Sequence, residues 1–515
     1  MVALWRFLRR DLSAFGDCLR KVAPPRPGLY TYRFTPPGGR GRIHLRIEAD
    51  GRGVLWVDVT DVVHLNATAA EMALWALDGV PLAQAQARLA ARHGGTTARR
   101  AAGDLRGVYE LVRRGTHRGT AGGCPTCGLE TVARAELFTV PVSAPFKADL
   151  ALTYQCNNDC PHCYNEAERL RMKSLPPDQW KRVIDRLCHV GVPHLIFTGG
   201  EATLYPELAE LIAHADAQGP VCGLNSNGRR FAHAGYARAL AAAGLNHVQI
   251  TLGSHRPEVH DRMMHAASHG QTVRGIQQAL EAGLHTITNT TLMRMNADEI
   301  EETIGFIHRV GVRTLAVNGM IYSGGGGDTD QAIPESQLAP TLVRIRDRAR
   351  ELGMRLLWYT PTPYCEMSPV ELEVGAKRCN AGEYSLCVEP NGDVLPCQSY
   401  YQAAGNLLRD PWEQIWNSGL FRSFRERQAD PRFGRLPEMC WECPDLPLCG
   451  GGCRIVREVQ EARDAAPGGG CGGAGGCGSC HADPSAGSPG HPPLGFVALE
   501  ALAGPPRQRA SGRFG

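Results

Sequence analysis

Three cysteines fall within eight residues, Cys156, Cys160 and Cys163 of LTYQCNNDCPHCYNEA. A chain that concentrates thiols this way is built to hold more than an ordinary core. Nineteen cysteines are spread over 515 residues, and disulfide frameworks of that kind belong to small secreted domains. The opening stretch MVALWRFLRRDLSAF is interrupted by Arg6, Arg9 and Arg10 and does not read as an export signal. Val2, Trp5, Leu8 and Leu12 recur in it at helical spacing, as in a helix packed on the body. A cytoplasmic location is therefore expected, where clustered thiols act as metal or cluster ligands. A CxxxCxxC triplet can wrap one face of an iron–sulfur cubane. Such clusters normally take four thiolates, so one iron is left without a protein ligand. An open coordination position is what a metal centre needs to bind a substrate or cofactor directly. The zinc alternative asks for two CxxC pairs or a nearby histidine, and His162 sits between two would-be ligands.

A chain this long implies two to four domains. Lys and Arg number 55 against 52 Asp and Glu, for a net charge of +3, which gives no nucleic-acid footprint. No apolar run reaches the length of a membrane span. Residues 41–50 and 53–65 alternate apolar and polar residues as paired strands do. Asn66 then caps a helix that ends at Gly79, and two more amphipathic stretches follow. In the linker beyond, Cys124 and Cys127 are a lone pair that cannot complete a four-ligand site. From about 148 to 360, six strand signals (148–154, 194–198, 221–226, 247–252, 285–292 and 314–322) each precede an amphipathic stretch. That repetition predicts a parallel sheet with right-handed crossovers, curved into a partial barrel. Its chemistry belongs at the C-terminal strand ends, where the cysteine triplet lies. The tail beyond about 464 is rich in Gly and Pro and reads as disordered.

The triplet resembles that of the radical S-adenosylmethionine (SAM) superfamily, with His162 where the family carries an aromatic-like residue. The second strand runs into Gly199, Gly200 and Glu201, which match the family's GGE motif. The resemblance implies that these residues contact the methionine end of SAM; two glycines admit a close backbone approach, and Glu201 offers an acceptor to an ammonium group. Asn225, Ser226, Asn227 and Gly228 resemble the family's polar loop after the third strand, although Asn and Gly there also suit a plain turn. On the fourth strand Thr251 matches the family's Ser, Gly253 replaces the usual Asp, and Met264 falls where an Arg is usual, leaving Arg262 as the candidate carboxylate partner. Asn289 on the fifth strand is a candidate for the ribose, or an ordinary strand-end polar residue.

Further on, twelve residues separate Cys379 from Gly392, and four more lead to Cys397; Cys440, Cys443, Cys449, Cys453 and Cys471 follow. This spacing is similar to the seven-cysteine SPASM pattern of peptide-modifying radical SAM enzymes; a zinc ribbon over 440–453 is the plainer alternative. By family analogy Cys379, Cys397 and Cys453, with Cys387 as a candidate fourth ligand, hold one auxiliary cluster. Cys440, Cys443, Cys449 and Cys471 hold the other. Cys365 is a candidate hydrogen-atom donor to a substrate radical, or a small core residue. Cys477 and Cys480 stand as spare ligands. Residues 62–94 resemble the precursor-peptide recognition element exemplified by the peptide chaperone of pyrroloquinoline quinone biosynthesis. Such domains take a leader peptide as an added strand.

The expected layout is a peptide-recognition-like domain over 1–120, small, α+β and winged-helix-like; a linker over 121–145; a partial (β/α)6 TIM-like radical SAM barrel over 146–362; a loop-rich iron–sulfur SPASM domain over 363–475; and a tail over 476–515. The resemblance implies three 4Fe–4S clusters, SAM, a precursor peptide and an electron donor such as flavodoxin or ferredoxin, with no nucleic acid and no membrane. The implied activity generates a 5′-deoxyadenosyl radical and modifies a ribosomally made peptide by a thioether or carbon–carbon crosslink, epimerisation or a similar change. A SPASM-type tetrapyrrole or small-molecule enzyme is the alternative, and a non-catalytic iron–sulfur peptide carrier a third reading.

Overall fold

A computed structural model describes residues 24–35, 41–57, 61–93, 101–116 and 142–464. The expected N-terminal helix, Cys124, Cys127, Cys471, Cys477, Cys480 and the tail lie outside the described residues. Two compact units emerge. One takes the described residues up to Lys147 with Ile184–Leu195 and Ala215–Val221; the other takes Ala148–Val183, Ile196–His214 and the chain from Cys222 onward.

The first unit carries an antiparallel sheet in the order β1 (Gly28–Phe34), β2 (Gly41–Ile47), β3 (Gly53–Val57) and β4 (Asp61–Leu65). The single strand expected over 53–65 is in fact the hairpin β3–β4, with Val57 opposite Asp61. β1 was not signalled by the sequence pattern. Helices α1 (Ala67–Leu77), α2 (Leu82–His93) and α3 (Ala102–Thr116) follow. The Asn66 side chain accepts the Ala69 amide at 2.9 Å, so the expected cap is formed. Ile43, Leu45 and Leu55 of the sheet close a core with Met72, Trp75, Leu105 and Leu111 of the helices.

The second sheet has nine strands in the order β11-β10-β9-β8-β7-β6-β5-β12-β13. Its strands are β5 (Lys147–Thr153), β6 (His194–Gly199), β7 (Val221–Ser226), β8 (His247–Thr251), β9 (His285–Thr291), β10 (Thr314–Asn318), β11 (Arg355–Trp358), β12 (Ser385–Val388) and β13 (Val394–Leu395). From β5 to β11 spatial order equals chain order, so every crossover advances in one direction. That is barrel-type winding, and the order does not reverse as in a doubly wound sheet. β7 to β11 pair in parallel, and the sheet stays open, with β12 and the antiparallel β13 extending the β5 edge. The expected sixth strand stops at Asn318 and does not reach 322. The next amide, Gly319 N, donates to Thr360 Oγ1 at 2.8 Å and leaves the ladder.

Along β8 and β9 burial alternates strictly. Val248, Ile250, Thr286, Thr288 and Thr290 are buried on one face, while Gln249, Thr251, Ile287, Asn289 and Thr291 line the other, half-buried. Among crossover helices, α4 (Pro177–His189) buries Trp180, Val183, Ile184 and Leu187. His260, on a helix after β8, is fully buried. Its Nδ1 accepts the Gly253 amide at 3.2 Å, and Ser268 Oγ lies 3.3 Å from its Nε2. Burial, helped by His269, pushes its imidazole down to about 4.

Phe197 is fully buried in β6, and Phe197→Ala is expected to cost about 3–5 kcal/mol, read as an earlier transition in chemical denaturation of the whole chain. His260 has a folded value below its ordinary one. Its contribution is therefore complete above about pH 6.5 and drains as pH falls toward about 4. Hydrogen exchange at Gly253 and its neighbours should accelerate across that window in the parent and show no such step in His260→Gln.

Candidate iron–sulfur and SAM site

In a parallel sheet all C-terminal strand ends share one edge, and that edge gathers the loops singled out by the sequence. The Cys156–Cys163 loop leaves β5, Gly199–Glu201 leaves β6, and Ser226–Gly228 leaves β7. The three thiols of the first loop are brought together: Cys160 feels the charge of Cys163 and Cys156, and Cys156 that of Cys163. Burial raises all three, Cys156 to about 11 and Cys160 to about 12. The protons must leave when a metal binds. The Asn158 amide lies 3.4 Å from Cys156 Sγ, and Asn227 Nδ2 4.0 Å. Among the described residues, no three His, Cys, Asp or Glu side chains converge as the ligands of one ion would. Thiolates bound to separate irons of a cluster need not converge so closely. An all-sulfur donor set with amides aimed at sulfur fits an iron–sulfur cluster.

The glycines of GGE have a reason within the fold itself. A Cβ on Gly199 would lie 2.1 Å from Thr153 O, and one on Gly200 2.4 Å from Tyr154 O. Gly200 N donates to Thr153 O and Glu201 N to Gln155 O, each at 2.8 Å. The pair thus lets two strand ends close on each other, with φ at +134° for Gly199. Glu201 is buried at 1% exposure. Its Oε1 accepts from Thr203 N (3.0 Å), Thr203 Oγ1 (2.6 Å) and Ser226 Oγ (2.9 Å), and its Oε2 accepts from Asn227 N (2.8 Å). The side chain expected to receive an ammonium group holds the neighbouring loop. Asn227 Nδ2 in turn donates to Asn157 Oδ1 at 2.6 Å, and Arg229 donates to the Asn157 carbonyl and, at 2.9 Å, to Asn158 Oδ1. Asn227 and Arg229 therefore tie the β7 loop to the cysteine loop, while Ser226 ties it to Glu201.

Thr251 and Asn289 are register partners on the half-buried sheet face, and Asn289 Oδ1 is buried without a hydrogen-bond partner. Arg262 is exposed. The two departures from the family pattern lie against each other: Gly253 leaves room that Met263 fills, with Sδ 2.6 Å from where a Cβ would stand, and Met264 Cε reaches the same space at 3.3 Å. Met263 and Met264 join Met293 and Met320 in an apolar group that packs against Cys160. His162 Nδ1 is buried without a partner, and burial pushes that imidazole down to about 4. The sequence reading overlooked Gly324 and Gly325, which pack on the cysteine loop. A Cβ there would meet Cys163 O at 2.7 Å and Pro161 O at 2.4 Å. The run of four glycines after β10 was the available signal.

In the C-terminal part, Cys379, Cys397 and Cys453 share one neighbourhood, each within the others' field. Cys379 and Cys397 pack against Ala381, Tyr400 and Phe424, and burial raises Cys453 to about 12. Cys440 feels Cys449 and Cys443. Cys387 is fully buried among Ala151, Tyr154 and Leu395, a different group from that of Cys379. Cys365 is exposed, so its reading as a core residue does not hold. The same part grips the first cysteine loop: Tyr401 Oη donates to Tyr164 O and Asn165 Oδ1, both at 3.2 Å, and Glu389 pairs with Arg169 and accepts from Tyr154 Oη at 2.9 Å.

Residues 150–307 match the radical SAM superfamily, and residues 379–444 match SPASM, described as an iron–sulfur cluster-binding domain. The chain is 30% identical over 321 residues to a PqqA peptide cyclase of Streptomyces rochei, covering 61% of this chain and 85% of the relative. It is also 30% identical over 330 residues to the mycofactocin maturase MftC of Mycobacterium tuberculosis, covering 62% and 80%. In fold it is similar to Streptococcus suis SuiB, solved with the precursor peptide SuiA bound, with a TM-score of 0.59 and 16% identity over 82% of this chain and 96% of that one. No helix among the described residues is long and apolar enough to cross a membrane. By sequence and by the arrangement of its strand-end loops, this chain belongs to the radical SAM superfamily, as an enzyme of the branch that carries a SPASM domain.

Proposed function

We propose that this enzyme matures a ribosomally made precursor peptide, installing a thioether or carbon–carbon crosslink, an epimerised centre or a similar change. The observation that carries the reading is the meeting of three thiols with the Gly199–Glu201 and Ser226–Gly228 loops at one sheet edge. Relatives include a PqqA peptide cyclase and a mycofactocin maturase by name, and the first favours a peptide over a tetrapyrrole or small molecule. Cys156, Cys160 and Cys163 would hold a cluster with one open iron. That centre, when bound and reduced, supplies the one-electron cleavage of SAM to a 5′-deoxyadenosyl radical. The chain's own residues would orient SAM. Thr251 and Asn289 present polar groups on the half-buried face, and Asn289 Oδ1 still lacks a donor. Arg262, exposed, is not retained as a SAM contact.

Cys379, Cys397 and Cys453 would hold a second cluster, and Cys440, Cys443 and Cys449 with Cys471 a third, for electron transfer. Placed away from Cys379, Cys387 is not favoured as a fourth ligand of the second. The strands and helices of 28–116 would hold the leader peptide as an added strand and raise the local concentration of the core peptide at the site. Flavodoxin or ferredoxin is the proposed electron source, and the cytoplasm the proposed location.

Anaerobic co-expression with each short reading frame encoded beside this gene, read by peptide mass, tests the activity. Loss of two mass units marks a crosslink, and unchanged mass with deuterium taken from solvent marks epimerisation. Peptides unaltered and unlabelled in every case would sink the proposal. Cys156→Ala should reduce 5′-deoxyadenosine formation to the level of iron-free protein, and its iron content should fall by the share of one cluster while the other two remain.

A further inference from the structure

The C-terminal part buries more positive charge than its own carboxylates can balance. Arg378, Arg427 and Arg454 are each at most 4% exposed, and Arg457 is half-buried. Facing them are Glu383, which pairs with Arg378 and, at 3.5 Å, with Arg427, and Glu458, which lies 2.8 Å from Arg454 and is shared with the exposed Arg435. Arg457 has no carboxylate within ion-pair distance among the described residues. It donates to the carbonyls of Gly451 and Gly452, and its Nε is buried without an acceptor, as is that of Arg427. Buried arginines are rare unless paired, and an uncompensated buried charge costs several kcal/mol. Something anionic must complete this arrangement.

The surroundings of Arg457 name it. The Arg457 amide donates to Cys453 O at 3.3 Å, and its side chain donates to the carbonyls of Gly451 and Gly452, which lie between Cys449 of one cysteine group and Cys453 of the other. Burial disfavours its charge, and Cys379 and Cys453 of one group and Cys440 of the other restore it. Arg457 and Cys379 also line a single small cavity with Arg427, Arg454 and Gly452. We propose that Arg457 is the positioning cation of the auxiliary pair: its guanidinium stands between the two cysteine groups and holds both of their clusters at a higher reduction potential than they would otherwise have. This rests on the reading of those cysteines as cluster ligands. Local charge and burial are the protein's main means of setting such potentials, and a cation next to a centre favours the state with the extra electron. A single residue facing both clusters shifts them together, which preserves the driving force between them while making both better acceptors.

The test is an EPR-monitored redox titration of the reconstituted full-length protein, with iron and sulfide assayed on the same sample, for the parent, Arg457→Met and Arg457→Lys. The expected result is full iron in all three, both auxiliary midpoints moved to more negative values in Arg457→Met, and both returned most of the way in Arg457→Lys. Unchanged midpoints in Arg457→Met, or a shift of one cluster alone, would overturn the role. If Arg457→Met does not fold, Arg457→Gln replaces it, and the contrast between the neutral and the charged variant decides in the same way. A parent whose iron accounts for the Cys156 cluster alone would remove the cluster reading itself, and with it this inference.

Discussion

A carboxylate sealed from water holds the site together. Glu201 collects four hydrogen bonds from three residues on two strand ends, and an unpaired carboxylate at that depth would be far too costly to bury. The β7 loop is thereby fixed against the β6 loop. Asn227 and Arg229 carry the constraint one strand further, to Asn157 and Asn158 between the first two cysteines. Three loops are thereby joined into one surface.

The C-terminal part fixes the same loop from the other side. β12 extends the sheet beyond β5, which places Glu389 against Arg169 and Tyr154 and Tyr401 against the backbone after Cys163. Arg169 also lies over the Tyr401 ring at 4.3 Å. The cysteine loop is therefore braced by residues more than 200 positions away in the chain.

Much of this was legible in the sequence, because its strongest signals are local. Six strands with amphipathic stretches between them specified the order of the parallel sheet, and the Cys, Gly-Gly-Glu and Ser-Asn-Gly groups marked their ends. What escaped depends on contacts between distant segments. No spacing rule pairs Gly199 with Thr153 O, so the clearance these glycines give a neighbouring strand was not foreseen. Glu201 was read as an acceptor for a ligand's ammonium group because its partners, Thr203 aside, lie on another strand. β1 has no clean alternation and was missed, since its residues are half-buried along most of their length. The Gly253 and Met264 departures looked like lost contacts, and only the packing of Met263 and Met264 around Gly253 relates them. The buried arginines are scattered through the C-terminal sequence and converge only in the fold.

Gly450, Gly451 and Gly452 all adopt left-handed backbone, with φ of 63°, 75° and 68°. Side chains on the latter two would strike Leu436 and Pro363 at 2.5 and 2.7 Å. These three residues are all that separates Cys449 from Cys453, thiols assigned to different clusters. Four virtual bonds of about 3.8 Å set a tether no longer than roughly 15 Å between their α-carbons. On the proposed cluster assignment the two centres share one short leash, so a large movement of either would carry the other with it.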